Sequence, residues 1–426
     1  MPAALPANAL ADAIDRAARD LEPRLIAWRR DLHAHPELGN REFRTAGLVA
    51  DHLRALGFDE VRTGVAHTGV VGLLKGGRPG PVVALRADMD ALPVKEEVVL
   101  PFASQATAEY NGQRVGVMHA CGHDTHTAIL MTVASVLAGL RQQLAGSVKF
   151  IFQPAEEGPP EGERGGAELM IEQGALRDPE PEVIFGLHIV SMLPANVIGL
   201  RPGPLMASAD QFRIAVRGRQ THGAAPWMGV DPVVTAAQVV LGLQTIVSRQ
   251  LDITREPAVV SVGMIRGGVR DNIIPDTVEL SGTIRAFDEG MREQIHERVR
   301  GTAEGIAQAA SAGCEVCIRR GYDVTINDTA LTETMLPTLR RVAGAEQVRI
   351  IPKITGSEDF SCFQRVVPGL FFFIGGTEPG RDPARAEPNH SPRFAIDEAG
   401  LLLGVRALAQ LTCDWLEATP EQRRLD

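Results

Sequence analysis

Apolar residues recur at helical spacing over 7–35, at Leu10, Ile14, Leu21, Leu25, Ile26 and Trp28, and predict an amphipathic helix that Pro36 ends. A second amphipathic helix is expected over 42–56, stopped at Gly57. The pattern then changes to short, continuous apolar runs, Val70–Leu74 and Val82–Ala87, which read as buried strands. A helix follows over 127–143, with Asp124 or Thr125 as its N-cap. Next come a strand from Val148 to Gln153, a helix near 165–173 and a strand from Val183 to His188. The alternation of strands and helices is that of an α/β fold.

Three of these strands end in chemistry. The run to Ala87 opens into Asp88 and Asp90, that from Val148 into Glu156 and Glu157, and that from Val183 into His188. Open α/β sheets place their active groups at the carboxyl ends of strands. Over 205–320 the pattern becomes strand (211–217), helix (231–248), strand (258–265), strand (277–286), helix (289–310), strand (314–320), the βαββαβ order of a ferredoxin-like unit. Only His222 and His296 of the 11 histidines lie there. The expected architecture is therefore two-domain α/β: a catalytic α/β domain built from 1–204 and 321–426, with a ferredoxin-like satellite domain, 205–320, inserted into it.

Composition narrows the function. The chain has 426 residues, 44% hydrophobic, with a formal net charge of −10 and a pI near 5.6. Without a basic patch, a nucleic-acid or anionic-membrane partner is not expected. No run of about 20 apolar residues predicts a membrane span, and the first 20 residues do not read as a secretory leader. Five cysteines point to a reducing cytoplasm rather than a disulfide framework. Cys314 and Cys317 have knuckle spacing without a second pair and are expected to pack in a core strand.

The densest chemistry lies in Met118-His119-Ala120-Cys121-Gly122-His123-Asp124-Thr125-His126-Thr127, where a thiol, three imidazoles and a carboxylate crowd the start of a buried helix. In an extended segment Cys121 and His123 would leave the chain on the same side. With Glu157, His188 and His390 they could hold two divalent ions: imidazole and thiolate suit Zn²⁺ and its first-row neighbours Co²⁺ and Ni²⁺, and carboxylates admit Mn²⁺. Such ions lower the pKa of bound water to about 7, and Glu156 is placed to act as general base. Asp90 is expected to orient a ligating histidine; the role of Asp88 stays open. His33 and His35 are read as structural or as supports behind the ligands. In the satellite, His222 (in Thr221-His222-Gly223-Ala224-Ala225-Pro226) and the polar loop Asp271-Asn272-Ile273-Ile274-Pro275-Asp276 could reach a substrate, with His222 stabilising an oxyanion.

MHACGHDTH, FQPAEEG, GLHI, THGAAPW, DNIIPD, GTIRAF and GSEDFS, in this order, resemble the metal-dependent aminoacylase/carboxypeptidase superfamily, and within it the hippurate hydrolase and indole-acetyl-amino-acid hydrolase branch. The resemblance runs from LHAHPEL to NHSPRF. It implies a two-metal catalytic domain with a satellite that dimerises, as a dimer or dimer of dimers. It also implies ligands at Cys121, His123, Glu157, His188 and His390, Glu156 as base, and substrate contacts from His222 and Asn272. Relatives outside this branch carry a His where this chain has Asp88, so only Asp90 carries over. Glu358 and Asp359 are expected to line the site. The expected reaction is hydrolysis of an N-acyl amino acid, a small-molecule substrate, to a carboxylic acid and a free amino acid. A dipeptidase or carboxypeptidase would use the same groups. A binding protein with a retired site would have lost the base or a ligand, and none is missing here.

Overall fold

The short apolar runs join one mixed sheet. In the computed structural model, which describes residues 7–425, its eight strands lie in the order Glu60–Val65, Gly69–Lys75, Ala145–Gln153, Arg78–Asp88, Val183–Pro194, Gly369–Thr377, Ile198–Leu200 and Val348–Ile350. The four central strands are mutually parallel, so their carboxyl ends open on one edge of the sheet. In register, Asp88 lies opposite Gln153, and His188 opposite Phe373. The strand Gly369–Thr377 is buried along its whole length, which its run of Leu370, Phe371, Phe372, Phe373 and Ile374 requires.

Helices Ala7–Ala34, His123–Gly139 and Ala399–Glu417 pack on one another and on this sheet. The middle one is buried on nearly every face, as its uniformly apolar sequence demands. It begins at His123, four residues before the expected start, with Gly122 rather than Asp124 or Thr125 in the N-cap position. The N-cap reading failed because Gly122 turns the chain through a left-handed conformation (φ 95°), which no periodicity reveals. Cys121 and His123 therefore flank a turn and do not share an extended segment. The strand expected to stop at His188 continues to Pro194, and Glu60–Val65 is a strand the pattern did not show.

The chain divides into two units. The sheet belongs to the first, which takes the chain up to Gly203, Asn327–Pro352 and the chain from Cys362. Pro204–Ile326 forms the second, together with the short segment Lys353–Ser361. Its four antiparallel strands run in the order Ala258–Gly267, Thr277–Ala286, Asp210–Arg217, Gly313–Arg319. Helices Pro232–Thr245 and Glu289–Ala309 cover one face around their own core. Each is started by an aspartate that accepts backbone N–H groups, Asp231 from Val233 and Val234, Asp288 from Met291. The Cys314–Cys317 expectation is corrected in part: three residues apart on a strand, the two point to opposite faces, so Cys314 packs against the core and Cys317 is exposed. No helix among the described residues is long and apolar enough to cross a membrane.

One buried charge cluster staples this second unit. Arg292, fully buried, donates through Nε (2.8 Å) and Nη2 to Asp210 and through Nη1 to Asp323 (2.6 Å), while His296 Nε2 lies 2.6 Å from Asp210. Burial pushes the Asp210 carboxyl up, but the bonds from Arg292, His296 and the Gly321 amide outweigh it and hold the group below the usual carboxylate range. A lowered carboxylate contributes stability that is complete above its ordinary pKa near ~4 and is lost as the pH falls toward the folded value. Arg292→Met should therefore cost about 3–5 kcal/mol at neutral pH by stranding a buried charge. Adding Asp210→Asn to that variant should recover part of the loss, and the gap between wild type and Arg292→Met should narrow below about pH 4. Calorimetric unfolding of the three proteins across pH checks both.

Candidate metal centre

The loop leaving strand Arg78–Asp88 runs antiparallel to Met118, with Leu92 and Met118 exchanging backbone hydrogen bonds (3.0 and 3.1 Å). This sets Asp90 beside the Cys121–His123 turn. Gly122 is required there: besides its φ, a Cβ would sit 2.4 Å from Ile189 Cγ2. The turn places Cys121 against the neighbouring strand, where its Sγ lies 3.3 Å from His188 Nε2 and 3.3 Å from His390 Nε2. His390 Nε2 is in turn 2.9 Å from Glu157 Oε1, and His123 Nε2 is 3.9 Å from Glu156 Oε2. The structure thus brings Cys121, His123, Glu156, Glu157, His188 and His390 into one cluster, as three overlapping groups whose ligand atoms lie within 4.8 Å of one another.

The rings are aimed by their other nitrogens. His123 Nδ1 is 3.2 Å from Asp90 Oδ1, and His188 Nδ1 donates to the Ile189 carbonyl (2.7 Å), which turns both Nε2 atoms inward. His390, at φ 73°, is held by its own N–H on the Ala120 carbonyl (2.7 Å). Its neighbour Asn389 donates to the carbonyls of Cys121 (2.9 Å) and Ile189 (3.1 Å). Asp90 does more than orient a ring: its two oxygens accept the N–H groups of Glu156 and Glu157, each at 3.0 Å. Asp88 takes a separate place, bonded to Arg86 Nη1 (2.7 Å) and His126 Nδ1 (2.6 Å), and His126 Nε2 accepts the Ile189 N–H (2.8 Å).

The donor set fits a cation. Burial disfavours charge on His123, but Asp88, Asp90 and Glu157 outweigh it and push the imidazole up to about 10. Burial, Glu157 and Glu156 push the Cys121 thiol well above its ordinary value. The buried Nε2 of His123 has no hydrogen-bond partner. A pocket that strains toward positive charge, with a buried ring nitrogen aimed into it and a soft sulfur at its centre, is suited to metal ions.

The other sequence candidates make bonds of their own. His33 bonds Asp124 (2.9 Å) and Glu96 (3.1 Å), while Arg29 joins the same Asp124 oxygen (3.0 Å), so this cluster ties helix Ala7–Ala34 to the start of helix His123–Gly139. His35 is exposed and donates to the Asp31 carbonyl. Glu358 and Asp359 are buried in the segment Lys353–Ser361, where Glu358 accepts the Phe360 N–H (3.0 Å). Within the second unit, His222 pairs with Ile273, and the Gly223 N–H donates to the Asn272 carbonyl (2.8 Å), so the two polar loops are adjacent. His222 is exposed, and its Nδ1 accepts the Ala224 N–H (3.0 Å), which leaves Nε2–H as the outward donor of the neutral ring.

Sequence reading missed Asn389 and Arg86, which carry no metal-type chemistry, and Glu42. Glu42 is fully buried, accepting the Ala155 N–H (2.9 Å) and the Thr68 hydroxyl. Burial and the facing Asp90 push its carboxyl up to about 8.

Comparison with known proteins agrees with this geometry. A family profile described as Peptidase family M20/M25/M40 matches residues 84–414. Thermostable carboxypeptidase 1 of Saccharolobus solfataricus is 39% identical over 404 residues, covering 94% of this chain and 98% of that protein. N-acyl-L-amino acid amidohydrolase of Geobacillus stearothermophilus is 41% identical over 314 residues, 74% of this chain and 80% of that one. A Bacillus subtilis crystal structure, described as a dinuclear metal binding peptidase from the M20 family, is 35% identical with a TM-score of 0.78, covering 94% of this chain and 100% of that one. By profile, relatives and shared fold, the chain belongs to the M20/M25/M40 peptidase family, and it is a metal-dependent amidohydrolase.

Proposed function

We propose that this amidohydrolase cleaves N-acyl amino acids, hippurate-like compounds among them, into a carboxylic acid and a free amino acid. The observation that carries the reading is the convergence of Cys121 with His188 and His390, each at 3.3 Å, beside a pair of adjacent glutamates. Cys121, His123, Glu157, His188 and His390 would hold two divalent ions, with Zn²⁺ favoured by the thiol and Mn²⁺, Co²⁺ or Ni²⁺ accommodated by the mixed donors. When bound, such ions supply Lewis acidity and a water acidic enough to lose its proton near neutral pH. Glu156 takes that proton and returns it to the leaving amine; Asp90 fixes where its backbone sits. His222, through Nε2–H, stabilises the developing oxyanion, and Asn272 contacts the substrate.

A peptidase reading, on dipeptides or peptide C-termini, is supported by the likeness to a carboxypeptidase and uses the same groups. We further assign a homodimer or a dimer of dimers through the second unit. Its edge strand Ala258–Gly267 is free to pair, and Trp227, Met228, Val234 and Leu241 expose apolar surface nearby in sequence. The low cysteine content, five in 426 residues, supports a cytoplasmic location.

Glu156→Gln should retain metal and lose at least ~10²-fold in kcat, the usual scale of general-base catalysis; near-normal turnover would remove Glu156 from the role. Across benzoyl-glycine, acetyl-methionine, an indole-acetyl amino acid and a dipeptide, hydrolysis should vanish on chelation and return with one of the four ions. Acyl amino acids should outrun the dipeptide. The reverse ranking would select the peptidase reading.

A further inference from the structure

The turn that carries Glu156 and Glu157 is held from behind. Ala155 stands at φ 52°, a left-handed conformation that non-glycine residues seldom adopt and that persists only where surroundings enforce it. Three successive N–H groups of this turn end on carboxyl oxygens: Ala155 on Glu42 Oε1 (2.9 Å), Glu156 and Glu157 on Asp90 (3.0 Å each). Asp90 faces His123 directly. Glu42 approaches from the other side, at the end of a stretch that packs closely on both strand ends. The Glu37 carbonyl accepts the Ala91 N–H (2.8 Å), and a Cβ at Gly39 would lie 3.1 Å from Ala155 Cβ. Nothing else in the motif chemistry uses Glu42, yet it is fully buried.

We propose that Glu42 is a positioning residue: by accepting the Ala155 N–H it fixes the strained turn that presents Glu156 and Glu157 to the metal pocket. The inference rests on the base and ligand roles proposed above. Without this acceptor the Ala155 amide loses its partner, the turn relaxes toward ordinary backbone angles, and both glutamates shift together. Misplacement by about 1 Å can cost about 10²-fold in rate, and loss of a group that orients ligands typically costs about 10–100-fold in metal affinity or activity.

The test uses full-length Glu42→Ala, Glu42→Leu and Glu42→Gln. Leu keeps the volume without an acceptor, in case the cavity left by Ala prevents folding; Gln keeps an oxygen that can accept the Ala155 N–H. Affinity for Zn²⁺ and Mn²⁺ is read by competition with a chromophoric chelator, and kcat and KM are read on metal-saturated protein. The Ala or Leu variant should bind metal at least tenfold more weakly and lose about tenfold or more in kcat with KM little changed, and Gln should restore both to within a few-fold of wild type. Wild-type affinity and kcat in a folded Ala or Leu variant would overturn the proposal. So would a Gln variant as impaired as those two. If wild type binds two ions but hydrolyses none of the amides, the proposed reaction fails, while the affinity measurements still decide the role of Glu42.

Discussion

The site depends first on one carboxylate. Asp90 joins three stretches of chain that are distant in sequence: it begins the loop after strand Arg78–Asp88, accepts the amides of Glu156 and Glu157, and faces His123. Each contact fixes a different part of the pocket, namely the ring plane of one ligand candidate, the origin of a second and the origin of the proposed base. Charge-assisted bonds of this kind, made in a water-poor interior, are among the strong ones. Their geometry is maintained by the parallel sheet, in which the neighbouring strands Arg78–Asp88 and Ala145–Gln153 deliver Asp90 and the two glutamates to one edge.

Around this anchor the pocket is crowded with acidic groups. Asp88, Asp90, Glu156 and Glu157 crowd two imidazoles and a thiol, and the consequence is a His123 that holds a proton strongly and a Cys121 that resists losing one. Arg86 pairs with Asp88, and His126 Nδ1 donates to it. The remaining negative charge converges on the space bounded by Cys121, His188 and His390, where divalent ions would offset it and draw the thiol toward thiolate.

Much of this was legible in the chain because the groups concerned are chemically rare and stand at strand ends. Cys121, His123, Glu157, His188 and His390 announce themselves by type, and Glu156 by adjacency. The βαββαβ order of the smaller unit followed from apolar periodicity alone. What stayed hidden was geometry that side-chain type does not encode. The left-handed turn at Gly122 moved the helix start to His123. Glu42 acts on a backbone amide 113 residues away, a partner with no sequence signature. Asn389 likewise works through carbonyls. Cys317 looked like a core residue until the strand's two-residue alternation set it on the open face.

Whether Cys121 sits at the middle of a two-ion centre is read most directly by anomalous scattering from crystals of the protein loaded with Zn²⁺ or Mn²⁺. Two peaks are expected, both within bonding distance of the cluster formed by Cys121, His123, Glu157, His188 and His390. A single ion, or ions bound away from Cys121, would contradict that reading.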